Sequence, residues 1–307
     1  MFPSDGEIAV IGAGLMGHGI AQVFAEAGHS VRLFDIDRPT LDGARDHISA
    51  NLTALGRDPS AVERVQPTFD LRQAVRRASF VLECVREDLA TKQKLFAEIE
   101  ALAPTQAVLA TNTSVIPIGA ITSELAFPER ALGAHWWNPP YIVPLVEVIG
   151  SDRTSDRTIK ETIGLLRRVG KLPVHVRRDV PGFIGNRLQH ALWREAMSLV
   201  DEGVCDAATV DTVVKSSFGP RLGVLGPLEN ADLVGLDLTA AVHRYLLPHL
   251  SQATEPSPGL ERLVSENRLG MKTGSGFFEW TAQEQQAARS RLIEQLKYAE
   301  QPGTFVE

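Results

Sequence analysis

Three short segments of this 307-residue chain carry side chains able to move a proton or steady an oxygen. They are Thr111-Asn112-Thr113-Ser114, His135-Trp136-Trp137-Asn138 and Pro144-Leu145-Val146-Glu147. An imidazole exchanges a proton near neutral pH, and a carboxylate beside it fixes its tautomer and steadies the imidazolium. Glu147 sits in the middle of the apolar run Leu145–Ile149, where a carboxylate is expensive to bury unless something pairs with it. The Asn138-Pro139-Pro140 turn lets the chain fold back, which would bring Glu147 beside His135. A pair of that kind suits removal of a hydroxyl proton.

What would take the electrons is suggested by the N-terminus. Ile8-Ala-Val-Ile-Gly12-Ala-Gly14-Leu15-Met16-Gly17 contains the pattern G-x-G-x-x-G after a run that reads as a strand and before one that reads as a helix. In that context Gly12 allows a tight turn, Gly14 lets a pyrophosphate approach the backbone, and Gly17 permits close helix–strand packing. The phosphates would lie at the helix N-terminus, where free N–H groups favour negative charge. Asp35, ending the next apolar run, sits where a carboxylate would accept both ribose hydroxyls and repel a 2′-phosphate, which points to NAD rather than NADP. Arg32 and Arg38 lie near enough to serve a phosphate, and Asp35 could alternatively cap a helix.

These residues need a scaffold of strands ending on one side. Glu7–Ile11, Ser30–Phe34, Phe80–Val85, Ala107–Ala110, Ala131–His135, Leu145–Ile149 and Val174–Val176 read as strands. His18–Ala27, Arg38–Leu55, Thr91–Leu102 and Ser155–Val169 carry helical spacing between them. The alternation predicts βαβ units with helices on both sheet faces, and the close spacing of the later strands predicts a mixed edge. Ser114 and His135 then fall at the carboxyl ends of strands, where open α/β sheets bind ligands. Beyond Pro181-Gly182 the pattern turns helical: Phe183–Val204, Ala208–Phe218, Ala240–Leu250, Gly259–Arg268 and a polar Thr281–Gln301. The fold expected is α/β, with a Rossmann-type doubly wound N-terminal domain over residues 1–181 and a smaller all-α C-terminal domain over 182–307.

Composition narrows the classes. A formal charge of −7 spread along the chain argues against a nucleic-acid partner. No signal peptide is read before the first apolar run, and no stretch has the roughly 18 uninterrupted apolar residues of a membrane span. A cytoplasmic protein with no membrane partner is expected. Cys84 and Cys205 lie apart, outside any C-x-x-C or Cys/His cluster, so buried free thiols and no metal site are expected.

The chain resembles the 3-hydroxyacyl-CoA dehydrogenase family in its short two-domain form. The resemblance is carried by Gly12-Ala-Gly-Leu-Met-Gly-His-Gly-Ile-Ala, Thr111-Asn-Thr-Ser, Gly133-Ala-His-Trp-Trp-Asn-Pro, Leu145-Val-Glu-Val, Asp179-Val-Pro-Gly-Phe-Ile-Gly-Asn-Arg-Leu, Asp232-Leu-Val-Gly-Leu-Asp and Lys272-Thr-Gly-Ser-Gly-Phe-Phe. It implies His135 as base with Glu147 as its partner, and Ser114 and Asn186 as hydrogen-bonding groups around the substrate oxygens. It also implies cofactor contacts from Gly12, Gly14, Leu15, Met16, Gly17, Asp35, Glu87 and Asn112, and a homodimer formed through the C-terminal domain.

Two departures bear on the substrate. Pro139-Pro140-Tyr-Ile-Val-Pro144 replaces the Met-Lys that the CoA enzymes carry before Leu-Val-Glu, and no lysine occurs between Asp35 and Lys92 to meet CoA phosphates, although Arg45, Arg57 and Arg64 remain. The first is similar to members acting on free small acids, and the second leaves fewer cationic partners for CoA. The expected activity is therefore oxidation of the β-hydroxyl of a small 3-hydroxy acid, with a 3-hydroxyacyl-CoA such as 3-hydroxybutyryl-CoA as the alternative substrate. A catalytically idle NAD-binding structural protein is the alternative from another class. The lysine-dependent 6-phosphogluconate type is disfavoured, since Phe183–Val204 contains no lysine.

Overall fold

In the computed structural model, which describes residues 6–299, β-strands and helices alternate through the first half of the chain. The strands are β1 (Glu7–Ile11), β2 (Val31–Phe34), β3 (Val65–Thr68), β4 (Ala78–Glu83), β5 (Val108–Thr111), β6 (Ala131–Trp136), β7 (Leu145–Ile149) and β8 (Leu172–Val176). They form one eight-stranded sheet in the order β3-β2-β1-β4-β5-β6-β7-β8. All neighbours pair in parallel except β6 and β7, which run antiparallel, so the expected mixed edge is present. The chain reverses its direction of sheet growth between β1 and β4, which leaves a crevice over their carboxyl ends.

Alternation along the strands sends apolar side chains to both faces. Ile8 and Val10 of β1 pack with Phe24 and Ile20 of α1 (Leu15–Glu26) and with Leu41 and Ile48 of α2 (Arg38–Leu55). Ala9 and Ile11 face the other way, toward α3 (Leu71–Val75) and Phe96 and Ile99 of α4 (Leu89–Leu102). A short α5 (Ile118–Ile121) follows β5, and α6 (Asp156–Arg168) joins β7 to β8. Fully burying a Phe or Ile contributes about 1.5–3 kcal/mol each, so two apolar layers give this sheet ample cohesion.

The chain divides into two compact units that meet in sequence between Arg187 and Leu188. The second is helical: α7 (Gly185–Asp201), whose first turn still belongs to the sheet unit, α8 (Ala207–Ser216), α9 (Pro227–Val234), α10 (Leu236–Leu246), α11 (Pro258–Ser265) and α12 (Ala282–Ala299). Among the described residues of this unit no strand forms, only isolated bridges at Gly270, Ser275 and Glu279. No helix among the described residues is long and apolar enough to cross a membrane.

Several boundaries differ from expectation for identifiable reasons. The strand β3 is not expected from sequence, because Val-Gln-Pro-Thr is short and exposes its middle; an edge position tolerates its proline. The first helix starts at Leu15, before the expected His18, since Gly14 itself supplies the cap position. Helix α9 is additional to the expected elements and α10 starts earlier than Ala240, with Gly235 at φ 101 separating the two. The end of the expected Thr281–Gln301 helix, like the residues before Gly6, lies outside the described residues. Both cysteines are free, but half-buried rather than buried.

Candidate active site

The glycine loop fits a dinucleotide. Gly12 holds φ 102, and a Cβ there would stand 2.8 Å from the Cys84 carbonyl oxygen. A Cβ on Gly17 would lie 1.7 Å from the Gly12 oxygen, whereas the space beside Gly14 is open. No side chain caps α1 and no acidic residue stands in its first turn, so its N–H groups face outward as an anion site. Leu15 is exposed and Met16 half-buried beside them. A cleft of about 680 Å³ opens here, lined among others by Gly12, Gly14, Asp35, Ile36, Arg86 and Lys94.

Asp35 accepts the Ala13 N–H at 2.7 Å on one oxygen and the Asp37 N–H at 2.9 Å on the other. The cap of α2 is Asp37, which accepts from Thr40, so the capping alternative for Asp35 does not hold. Neither nearby arginine is poised for a 2′-phosphate: Arg32 pairs with Glu7 at 3.5 Å and Arg38 stacks over Phe69. His18, in the first turns of α1, is buried and stacked on His47. Burial pushes its pKa down, with His47 acting in the same direction and a backbone bond to Gly14 opposing both.

The antiparallel register sets His135 directly opposite Glu147, on the same face of adjacent strands. His135 Nδ1 lies 2.9 Å from Glu147 Oε2, and the carboxylate is only 1% exposed. The other oxygen accepts the N–H groups of Ile184 at 2.9 Å and Gly185 at 3.1 Å. Those donors are aimed by the Pro181-Gly182-Phe183 turn, in which Gly182 (φ 74) and Phe183 (φ 50) are both left-handed. A left-handed phenylalanine costs about 1–3 kcal/mol, a strain retained where the surrounding structure demands it. Burial alone would raise the Glu147 pKa; the His135 and backbone donors outweigh it and hold the carboxyl below its ordinary value. Trp137 and Phe183 both lie against the imidazole, at ring separations of 5.2 and 5.7 Å.

Ser114 follows β5. Its N–H donates to Glu87 Oε1 at 2.8 Å and its carbonyl accepts Asn186 Nδ2 at 2.9 Å. No helix is capped by Ser114, because the short α5 begins after Pro117. Asn112 and Glu87, expected toward the cofactor, both carry internal bonds. Asn112 Oδ1 accepts the Trp136 N–H at 2.8 Å, tying β5's end to β6. Glu87 accepts from Thr113, Ser114 and Val115. Burial acts to raise its pKa, but the Thr113 hydroxyl, the Lys92 charge and the two N–H groups hold it low.

Beneath that loop is a buried ion pair that the sequence does not announce. Lys92 Nζ, on a side chain 1% exposed, bonds Glu83 at 2.7 and 2.9 Å and lies 3.4 Å from Glu87. Thr111 Oγ1 donates to the same Glu83 at 2.6 Å. A charged residue closing the apolar run of β4 was the available signal. Its partner lies nine residues on, across a loop and a helix turn, where no local periodicity marks it.

A doubly wound sheet with this loop, crevice and buried His–Glu pair defines an NAD-dependent oxidoreductase. Residues 7–180 match the family model for the 3-hydroxyacyl-CoA dehydrogenase NAD-binding domain, and residues 182–280 match that for its C-terminal domain. The chain is 37% identical, over 94% of its length and 95% of the relative's, to 5-formyl-3-hydroxy-2-methylpyridine 4-carboxylate 5-dehydrogenase of Mesorhizobium japonicum. A crystal structure of an enzyme of that name, described as an NAD+-dependent dismutase, superposes with a TM-score of 0.90 at 36% identity, covering 96% of this chain and 97% of that one. Human mitochondrial hydroxyacyl-coenzyme A dehydrogenase is 34% identical over 89% of this chain and 90% of its own. Rabbit (Oryctolagus cuniculus) lambda-crystallin is 32% identical over 79% of each. The chain belongs to the 3-hydroxyacyl-CoA dehydrogenase family, and it is an NAD-dependent dehydrogenase acting on a CH–OH group.

Proposed function

We propose that the chain oxidises the β-hydroxyl of a small 3-hydroxy acid, with His135 as general base. The observation that carries this is the 2.9 Å bond between His135 Nδ1 and buried Glu147. With Nδ1 committed to the carboxylate, Nε2 keeps its lone pair for the substrate hydroxyl. NAD supplies the hydride acceptor at the carbon that loses its hydrogen. Glu147 steadies the imidazolium that forms, while Ser114 and Asn186 hold the substrate oxygen. Asp35 and the loop Gly12–Gly17 hold the cofactor, with Glu87 and Asn112 shaping the loop around it.

A free acid is preferred over a CoA thioester because the cationic groups for CoA are scarce. Of the three arginines available, Arg57 is committed to Glu26 at 3.4 Å and to the Tyr141 carbonyl at 2.9 Å. A second reading, a small carboxylate bearing an aldehyde, is favoured by the likeness to the formylpyridine-carboxylate enzyme. An aldehyde hydrate presents the same hydroxyl to the same base. Two free thiols suit a reducing compartment, so we place the protein in the cytoplasm, as a homodimer through the helical domain.

The test is NADH formation across small hydroxy acids, hydrated aldehydes and acyl-CoA esters. Turnover is expected on free carboxylates, and turnover on 3-hydroxybutyryl-CoA alone would reverse the substrate assignment. His135→Gln is expected to bind NADH as wild type and lose about 10²–10⁴ in kcat. Full retained turnover would remove His135 from the chemistry.

A further inference from the structure

Gly185 is the first residue of α7, and its φ lies outside the left-handed region. The backbone there therefore does not ask for glycine, and glycine is a poor helix former. What asks for it is an indole. A Cβ at 185 would stand 2.3 Å from Trp137 Cζ2 and 3.0 Å from Cη2. The Trp137 Nε1 is buried with no hydrogen-bond partner among the described residues, so packing alone locates this ring. The same Gly185 gives its N–H to Glu147, and the same indole lies against His135.

From this we propose that Trp137 and Gly185 form a matched pair of positioning residues that sets the aim of His135. The missing side chain at 185 is the socket for the six-membered ring of Trp137. Seated there, the indole packs against the imidazole, as Phe183 does, while Glu147 holds Nδ1. Nε2 is left as the one ring nitrogen free to meet substrate. Refilling the socket shifts the indole by about 1 Å, or pulls the Gly185 N–H off Glu147. A misplacement of that size at a reacting group costs about 100-fold in rate.

This rests on His135 being the base, and the experiment separates the two. Gly185→Ala, Trp137→Phe and the double variant are compared with wild type for kcat, substrate KM and NADH affinity. A phenyl ring ends short of the socket, so Trp137→Phe makes room for the alanine. Gly185→Ala is expected to lower kcat by about 100-fold while KM and NADH affinity change far less. The double variant is expected to return to the level of Trp137→Phe. A Gly185→Ala enzyme with wild-type kcat, or a double variant no faster than Gly185→Ala, overturns the pairing. If Gly185→Ala alone does not fold, a folded double variant turning over like Trp137→Phe supports it, and an unfolded one overturns it. Should His135→Gln retain full turnover, the base assignment fails first. If His135→Gln is inactive yet the two substitutions act independently, only the positioning pair falls.

Discussion

The two units of this molecule solve the problem of burying apolar surface in opposite ways. In the sheet unit, β1, β4, β5 and β6 are buried along nearly their whole length, and both faces carry closed apolar layers. In the helical unit, α8, α9 and α10 contain no buried residue at all. Val224 is 81% exposed and Leu228 80%, with Leu233, Leu236 and Tyr245 also largely in solvent. Open apolar surface on that scale is the kind that another surface covers. A second copy covering the same face on each protomer is the economical completion. The difference teaches where single-site changes act: in one unit on a closed interior, in the other on an open apolar face.

The largest effect is expected where a charge is stranded inside the sheet unit. Lys92→Met leaves Glu83 buried without its cation, and removing one partner of a buried pair costs about 3–5 kcal/mol. Urea unfolding checks this. A loss below about 1 kcal/mol would mean that the interior relaxes around Glu83 and is less closed than described. Next comes Leu228→Asp with Leu236→Asp on the open helical face. If a second copy covers it, these should convert the protein to single chains and together cost about 2–4 kcal/mol. The concentration dependence of Tm should vanish with them. Unchanged sedimentation at every concentration would break the contrast between the units.

A smaller effect follows from Glu147. Its carboxyl is held below the ordinary glutamate value, about 4.3, so the unfolded chain binds the proton first on acidification. The stability it contributes is fully present above that value and is lost as pH falls through the lower folded one. Glu147→Gln is expected to cost about 1–3 kcal/mol at neutral pH, the scale of a bond to a charged group. It should also flatten the fall in Tm relative to wild type as pH drops below the ordinary glutamate value of about 4.3. An equal slope in the two proteins would detach the carboxylate from the fold.

Much of the sheet unit was legible because its signals are local. The glycine spacing, the strand before it and Asp35 after it lie in one stretch, and each has one mechanical reason to be there. His135 and Glu147 were legible as a pair because burying a carboxylate demands an explanation. Other features were out of reach for a common reason. The Glu83–Lys92 pair, the Glu87 brace on Ser114 and the seat of Trp137 on Gly185 join residues whose nearness is set only by the folded sheet. In the helical unit, helical spacing marks α8 and most of α10, yet it does not tell that the apolar residues of α8–α10 face outward. Periodicity reports that a face is apolar, not what covers it.

The smallest expected effect is the sharpest control. Lys215 and Asp211 on α8 meet at 2.7 Å, the same separation as Lys92 and Glu83. Judged by distance alone the two pairs are equivalent. Lys215 is 72% exposed, however, so water solvates either charge when the other is removed. Lys215→Met is therefore expected to change stability by no more than about 0.5 kcal/mol, and the effect should shrink further in salt. Paired with Lys92→Met in one urea series, it isolates burial as the variable, since bond length is held constant. A loss of several kcal/mol at Lys215 would show that this face of α8 is covered in the working assembly, and would place part of the second copy there.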